Sequence, residues 1–156
     1  MKRLAILFLL IMITGSGGVS ANDTNRRIYS TEGDFGDVRL FVQDAIINQG
    51  LVIDYNGHVG EMLARTGADV GSSKEIYKDA EYFLFCSAVI SRKIMEADPA
   101  NLSFCPYIVF FYELMKEPGK VYVGYRRPAI VGSEASKKSL TAVDDLLHKI
   151  VREATE

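Results

Sequence analysis

The two cysteines of the chain are the first residues whose type points to chemistry. Cys86 and Cys105 bracket one short segment of the sequence. In an oxidising compartment, two cysteines of a small domain usually form a disulfide, which stabilises the fold by about 3 kcal/mol for a loop of this length. Two alternatives stay open: a pair of separate buried thiols, and a functional thiol or metal ligand. The spacing differs from the C-x-x-C motif of redox enzymes, so we expect a structural disulfide.

One histidine is the second candidate for chemistry. His58 follows Gly57 where a turn leads into a predicted helix, and Glu61 lies one helical turn further on, so both side chains share one helical face. Histidine is the commonest transition-metal ligand, carboxylates often support it, and a lone imidazole can also bind haem iron. The alternative is a ring nitrogen that bonds a backbone carbonyl and fixes the turn. His58 and Glu61 are therefore the ligand-binding candidates, and His58 is the candidate ligand for a transition metal or haem.

Catalytic motifs are missing from the sequence. It contains neither the G-x-S-x-G nucleophile elbow nor a P-loop, and its two histidines leave few general bases. We therefore predict a binding or accessory protein of unknown ligand rather than an enzyme. Two rival predictions belong to other classes: a thiol-based redox enzyme or sulfur carrier that uses Cys86 or Cys105, and a purely structural module that dimerises.

The first residues have the pattern of a secretory signal peptide. Lys2 and Arg3 precede an apolar run over residues 4–13, and a zone of small residues ends at Ala21. This order is typical of a cleaved leader, and the apolar run is shorter than the roughly 20 residues that a spanning helix needs. We therefore predict a signal peptide at residues 1–21 and export to the periplasm or the outside of the cell, with no membrane attachment after cleavage.

Charge and length limit the class of protein further. The whole chain has a formal net charge of −2, and removal of Lys2 and Arg3 would make the remainder more acidic. An acidic surface without a basic stripe argues against nucleic-acid binding, because phosphates require clustered Lys and Arg. Residues 22–156 are enough for a single domain with one core.

The pattern of the first half predicts two helices and three strands, the first of which is a short extended piece around Ile28 and Tyr29. Residues 51–53 read as a buried strand that is followed by a turn at Asn56-Gly57, and a short helix begins near His58. A polar loop over residues 71–80 leads to a strand at residues 82–85. The first helix is predicted from apolar residues at three- and four-residue steps, which are Val38, Phe41, Val42, Ala45 and Ile46.

The second half predicts a helix, a hairpin and a last helix. The helix after Cys86 ends before Asp98-Pro99, because proline disfavours helix in the residue before it. Strands rich in aromatic and β-branched residues flank Pro118-Gly119, which fits the central pair of a tight turn. An amphipathic pattern predicts the C-terminal helix at about residues 138–153.

These elements predict a two-layer α+β sandwich, with a mostly antiparallel sheet that helices cover on one side. We expect the other face of the sheet to carry Tyr122 and Tyr125. An apolar face of this kind, left uncovered, should pair with a second subunit, so the sequence predicts a homodimer.

Several motifs resemble the DUF 302 family, a domain of unknown function. They are the histidine just after "LVIDYNG", the segment "NLSFCPYIVFFYE" and the hairpin "GKVYVGYRRP", in this order over about residues 28–130. The resemblance implies a compact α+β domain, often dimeric, with no established reaction. Many members carry a glycine-asparagine-proline turn where this chain reads "FCSAVISRKIMEADP". That departure, the leader and the cysteine pair indicate an exported subgroup.

Overall fold

The computed structural model describes residues 25–72 and 74–156. The predicted signal peptide at residues 1–21 lies outside the described residues. Within those ranges, no helix is long and apolar enough to cross a membrane. The elements are β1 (Arg26–Glu32), α1 (Phe35–Asn48), β2 (Ile53–Gly57), α2 (Val59–Thr66), β3 (Tyr77–Phe85), α3 (Ala88–Ala97), a 3-10 helix (Pro99–Phe104), β4 (Tyr107–Leu114), β5 (Lys120–Arg126) and α4 (Glu134–Glu153).

The five strands form one sheet in the order β1-β5-β4-β3-β2, and every neighbouring pair is antiparallel. One face of the sheet packs against α1 and α4 and forms the core, while α3 packs against α4. The predicted α+β sandwich with helices on one side is therefore confirmed. The fully buried side chains of this face alternate along the strands, as a half-covered sheet requires, and include Phe83, Phe85, Val109, Phe111, Val121 and Val123.

The first helix begins and ends as its sequence predicts, but one of its apolar residues is not in the core. Asp34 is the N-cap and accepts hydrogen bonds from the backbone nitrogens of Gly36 and Asp37. Gly50, just beyond the helix, has a φ of +72°, the left-handed conformation that favours glycine. Phe41 was predicted to be buried and is 56% exposed. Its position lies at the border of the apolar stripe, on the side that faces away from the sheet.

The sequence prediction placed β2 too early and β3 too late. Of the apolar residues 51–53 only Ile53 belongs to β2, and Val52 is 75% exposed. Asn56 and Gly57 are not a turn but the last residues of the strand, where they pair with Phe83 and Tyr82 of β3. The polar residues before Ala80 hid the first part of β3, because Lys78 and Asp79 are strand residues at a sheet irregularity.

The hairpin between β4 and β5 is confirmed. The backbone nitrogen of Lys120 donates to the carbonyl oxygen of Glu117 at 3.3 Å, and Gly119 has a φ of +82°. A buried carboxylate supports the turn, since Glu113 accepts from the Gly119 backbone nitrogen at 2.8 Å and from Lys78 Nζ at 3.0 Å. Burial raises the pKa of Glu113, but these donors outweigh burial and hold the pKa below its usual value.

The prediction for Tyr125 was wrong, because side chains alternate along a strand and Tyr122 and Tyr125 are three residues apart. Tyr122 lies on the uncovered face, whereas the Tyr125 side chain is fully buried on the helix side. Its hydroxyl donates to Asp144 Oδ1 at 3.0 Å, and Asp144 also accepts from Arg127 at 2.9 and 3.1 Å and from Arg27 at 3.2 Å. We call these four residues, Arg27, Tyr125, Arg127 and Asp144, the Asp144 cluster.

We expect the Asp144 cluster to contribute measurably to the free energy of unfolding. Burial raises the pKa of Asp144, but the hydrogen bonds of Arg127 and Tyr125 outweigh it, so the net pKa lies below its usual value. We expect Asp144→Ala to lower the free energy of unfolding by roughly 3 kcal/mol, because two guanidinium groups and a buried hydroxyl lose their shared acceptor. Urea unfolding measures this loss. Asp145→Ala, at the exposed neighbouring position, is the control and should change the value by less than about 0.5 kcal/mol. Equal effects of the two variants would contradict the assignment.

Candidate functional site

His58 lies at the start of α2, directly after β2, and its side chain is 46% exposed. Its Nδ1 atom lies 3.5 Å from Glu81 Oε1 and 3.9 Å from Glu61 Oε1. These are ion-pair distances and exceed those of a good hydrogen bond. The two predicted ligand-binding residues, His58 and Glu61, are therefore brought together, and a third residue that the sequence did not indicate joins them.

That third residue, Glu81, is held in place by its second oxygen. Glu81 Oε2 accepts from Arg39 Nε at 3.1 Å and from Asn56 Nδ2 at 2.9 Å. The Arg39 guanidinium also lies over the ring of Phe83, 5.6 Å from its centre. Because one oxygen is fixed by two donors, the other is presented to the imidazole. We call Arg39, Asn56, His58, Glu61 and Glu81 the His58 cluster.

Two glycines place His58 beside Glu81. A Cβ atom at Gly57 would lie 2.2 Å from the ring of Tyr82, so glycine lets the tyrosine ring cross the end of β2. A Cβ atom at Gly60 would lie 2.8 Å from the backbone nitrogen of Ala80, so the first turn of α2 lies directly against β3. Without this close approach, His58 would not reach the strand that carries Glu81.

The His58 cluster also contains an unpaired buried atom. Asn56 donates through its amide nitrogen to Glu81, and its Oδ1 atom is buried with no hydrogen-bond partner among the described residues. Buried polar atoms are paired in the great majority of cases, so an exception calls for an explanation. Sequence reasoning did not find Asn56, Glu81 or Arg39, because their roles depend on the β2–β3 register and on how α1 crosses the sheet.

The chemistry open to the cluster is that of an imidazole supported by a carboxylate. With Nδ1 turned to Glu81, the Nε2 atom remains for an outside ligand, which is the arrangement of many metal-binding histidines. Across residues 25–72 and 74–156, no group of three or more His, Cys, Asp and Glu side chains could hold a metal ion. A single histidine such as His58 suits a metal that brings its own donors, as haem iron does with the porphyrin nitrogens.

The two cysteines meet at one end of the sheet. Ser91 on α3 joins Cys105 to Tyr107, since Ser91 Oγ lies 3.3 Å from Cys105 Sγ and 3.1 Å from the Tyr107 hydroxyl. Both cysteines are half-buried and are thiols in this structure. Burial, with a contribution from the neighbouring Cys105, raises the pKa of Cys86 to about 11. The disulfide stays a prediction.

The raised pKa is opposite to the direction that a thiol enzyme requires, because a nucleophilic cysteine has a lowered pKa and exists as the thiolate. Burial likewise raises the pKa of Tyr107 to about 12. Little tyrosinate forms at neutral pH, so Tyr107 does not readily accept a proton from a thiol. The geometry thus gives no support to a redox enzyme or sulfur carrier that acts through Cys86.

The uncovered face of the sheet is rich in aromatic side chains. Tyr112 stacks on Tyr122 with ring centres 5.0 Å apart, and Tyr77 packs edge-on against Tyr112 at 5.4 Å. A cavity of about 250 Å³ opens on this face and is lined by Ile28 among others. We define the aromatic face as Ile28, Tyr77, Tyr82, Phe110, Tyr112 and Tyr122.

Comparison with known proteins places this two-layer α+β domain in a family. The family model of the domain of unknown function DUF302 matches residues 27–154, so the chain belongs to the DUF302 family. It is similar to the crystal structure of an uncharacterized conserved protein DUF302 from Bacillus stearothermophilus, with a TM-score of 0.68 and 12% identity over 83% of this chain and 97% of that one. At this identity the likeness shows the fold alone. No curated protein matches the chain.

The thiol geometry predicts slow alkylation. We expect iodoacetamide to label Cys86 of the reduced protein at least tenfold more slowly at pH 8 than in urea-unfolded protein, because the buried thiol with a pKa of about 11 forms little thiolate. Peptide-resolved mass spectrometry after timed labelling measures the rate at each cysteine. If the labelling rate of the folded protein had its pH midpoint near neutrality, this prediction would be contradicted. That result would instead support a thiol enzyme. A mass measurement without reductant on the exported protein tests the disulfide separately.

Proposed function

We propose that this chain is an exported member of the DUF302 family, of a subgroup with a cysteine pair, that binds a ligand without catalysing a reaction and acts as a homodimer. His58 contacts the ligand in this proposal, and the second copy covers the aromatic face. The proposal does not depend on the state of Cys86 and Cys105, which contribute to the fold.

The observation that carries the ligand-binding role is the support of His58 by Glu81. A histidine with only a structural role would bond a backbone carbonyl and turn its polar atoms inward. His58 instead keeps about half of its side chain exposed, beside a carboxylate that Arg39 and Asn56 hold. Such support fixes the ring orientation and leaves Nε2 available to a metal or haem iron.

The size of the aromatic face favours a second copy of this chain as its partner. Five strands spaced by about 4.8 Å, with seven residues that rise about 3.4 Å each, give roughly 24 by 24 Å, or about 600 Å². This is close to the roughly 800 Å² that each partner buries in a stable interface. An exposed area of that size lies at the upper end of the largest patches of monomers, and such patches often serve as interfaces.

Association by the sheet edges is disfavoured. The edge strand β2 is only five residues long and its pairing is irregular, and the other edge strand, β1, carries Arg26, Arg27 and Glu32. Short, irregular and charged edges are the devices by which proteins avoid strand addition. The face, rather than an edge, therefore remains for the second copy.

The role of His58 is tested by ligand titration. The purified protein is first scanned for bound metals and for a Soret band, and is then titrated with hemin and, separately, with Ni²⁺. We expect at least one of these probes to bind through His58, so that His58→Ala weakens it at least tenfold. Glu81→Gln should weaken the same probe by about tenfold to a hundredfold, because the supporting carboxylate is lost.

Glu61→Gln is the matched control, since the Glu61 side chain is 81% exposed and lies farther from the ring. It should change affinity less than threefold. If wild type and His58→Ala hold equal amounts of every ligand and bind both probes equally, His58 is structural and the ligand-binding role is wrong.

The dimer is tested by light scattering during size-exclusion chromatography. We expect wild type to elute with the mass of two chains, and Ile28→Lys to elute with the mass of one, because a charge on the aromatic face cannot be buried unpaired. Tyr122→Lys is the second variant. Phe41→Lys is the control, since Phe41 is also exposed but lies on α1. A monomeric wild type, or a dimer that both face variants leave intact while circular dichroism shows native folding, would overturn this part.

A purely structural dimerising module is the second candidate, favoured by the aromatic face alone. It predicts that Ile28→Lys yields monomers while His58→Ala changes no binding. The two sets of measurements therefore separate the candidates.

A further inference from the structure

A second cavity lies away from His58, where β4 and β5 meet the 3-10 helix and α4. Its volume is about 290 Å³, near the lower end of the roughly 300–1,000 Å³ of small-molecule sites. Most of its wall is apolar, and Arg126 and Arg127 provide the charge. The apolar wall includes Phe104, Pro106, Ile108, Val143 and Leu147.

The charge of this region is unbalanced. Arg126 ends β5, and Arg127 follows it directly. Arg27 and Arg127 share a single carboxylate, that of Asp144, so the Asp144 cluster keeps one excess positive charge. Among the described residues, no Asp or Glu lines the cavity.

Arg126 is the arginine best placed to take a ligand. It is exposed, it lines the cavity, and its side chain forms no ion pair or hydrogen bond with the side chains of residues 25–72 and 74–156. Arg127 is already committed to Asp144 through its Nε and one terminal nitrogen. In a chain whose formal net charge is −2, a local excess of arginine at the mouth of an apolar cavity focuses anions there.

The apolar wall of the cavity and the charge of Arg126 together determine which chemical class of ligand fits. A guanidinium pairs with a carboxylate through two parallel hydrogen bonds. A phosphate would bring a second charge and a tightly held water shell to an apolar wall, which disfavours it. We propose that this cavity binds a small monocarboxylate with an aliphatic chain, whose carboxylate pairs with Arg126 and whose chain packs on the apolar wall.

The proposal is tested by calorimetric titration of the purified protein with butanoate, hexanoate and octanoate. Affinity should rise about fourfold for each added methylene until the cavity is filled. Hexan-1-ol, which has the same chain but no charge, should bind at least tenfold more weakly than hexanoate. Inorganic phosphate at equal concentration should not displace hexanoate.

Substitutions complete the test. Arg126→Gln should weaken hexanoate at least tenfold, and Arg126→Lys should recover part of the loss, because charge is restored without the two-bond geometry. Ala129→Phe, at an exposed position of the cavity wall, should block the longer chains. Arg92→Gln is the control on distant α3, where the Arg92 side chain is 78% exposed, and should leave binding unchanged.

Three results would overturn the proposal: hexan-1-ol that binds as tightly as hexanoate, phosphate that displaces hexanoate, or an Arg126→Gln variant with wild-type affinity. His58→Ala should leave hexanoate binding unchanged, so failure of this site and failure of the His58 site are distinguishable.

Discussion

The Asp144 carboxylate joins the last helix to the two strands at one side of the sheet. It accepts hydrogen bonds from Arg27 on β1, from Tyr125 on β5 and from Arg127 just beyond β5. A buried carboxylate is tolerated only where hydrogen-bond donors surround it. Removal of any donor leaves the remaining polar groups unpaired in a low-dielectric interior. The cluster therefore helps to fix the position of α4 on the sheet. The apolar contacts of Leu140, Leu147 and Ile150 are less directional than these hydrogen bonds.

This attachment is consistent with the positions of the proposed binding surfaces. Because α1 and α4 pack on one face, the aromatic face remains for a second copy in our proposal. Because Asp144 neutralises only one of the two arginines that it binds, positive charge is left beside the cavity at the end of β5. Glu81 plays the matching part at the other side of the sheet, where Arg39 and Asn56 hold one oxygen and His58 meets the other. Each of these two proposed ligand sites thus lies beside a carboxylate that hydrogen bonds within the fold hold in place.

The sequence predicted elements with a regular apolar period and missed contacts that depend on strand register. The aromatic and β-branched run of β4 and the apolar stripe of α4 are strong local signals, and both elements were confirmed. Residues 51–53 misled the prediction of β2, because an apolar run that only overlaps the start of a strand looks like the strand itself. Glu81 has no local signal, since only the β2–β3 pairing and the crossing of α1 reveal its partners. Tyr122 and Tyr125 are three residues apart in one strand, so the alternation of side chains already places them on opposite faces, which the prediction overlooked.

The pH dependence of unfolding tests the role of Asp144 most directly. Its pKa in the folded state lies below the ordinary value of 3.8, so its contribution is fully present above that value and is lost as the pH falls through the lowered pKa. The free energy of unfolding of wild type and of Asp144→Asn is measured in urea between about pH 7 and pH 2. Wild type should exceed the variant by a constant margin near neutral pH, and the margin should shrink below about pH 4. A margin that is absent at neutral pH, or that stays constant to the lowest pH, would contradict the account.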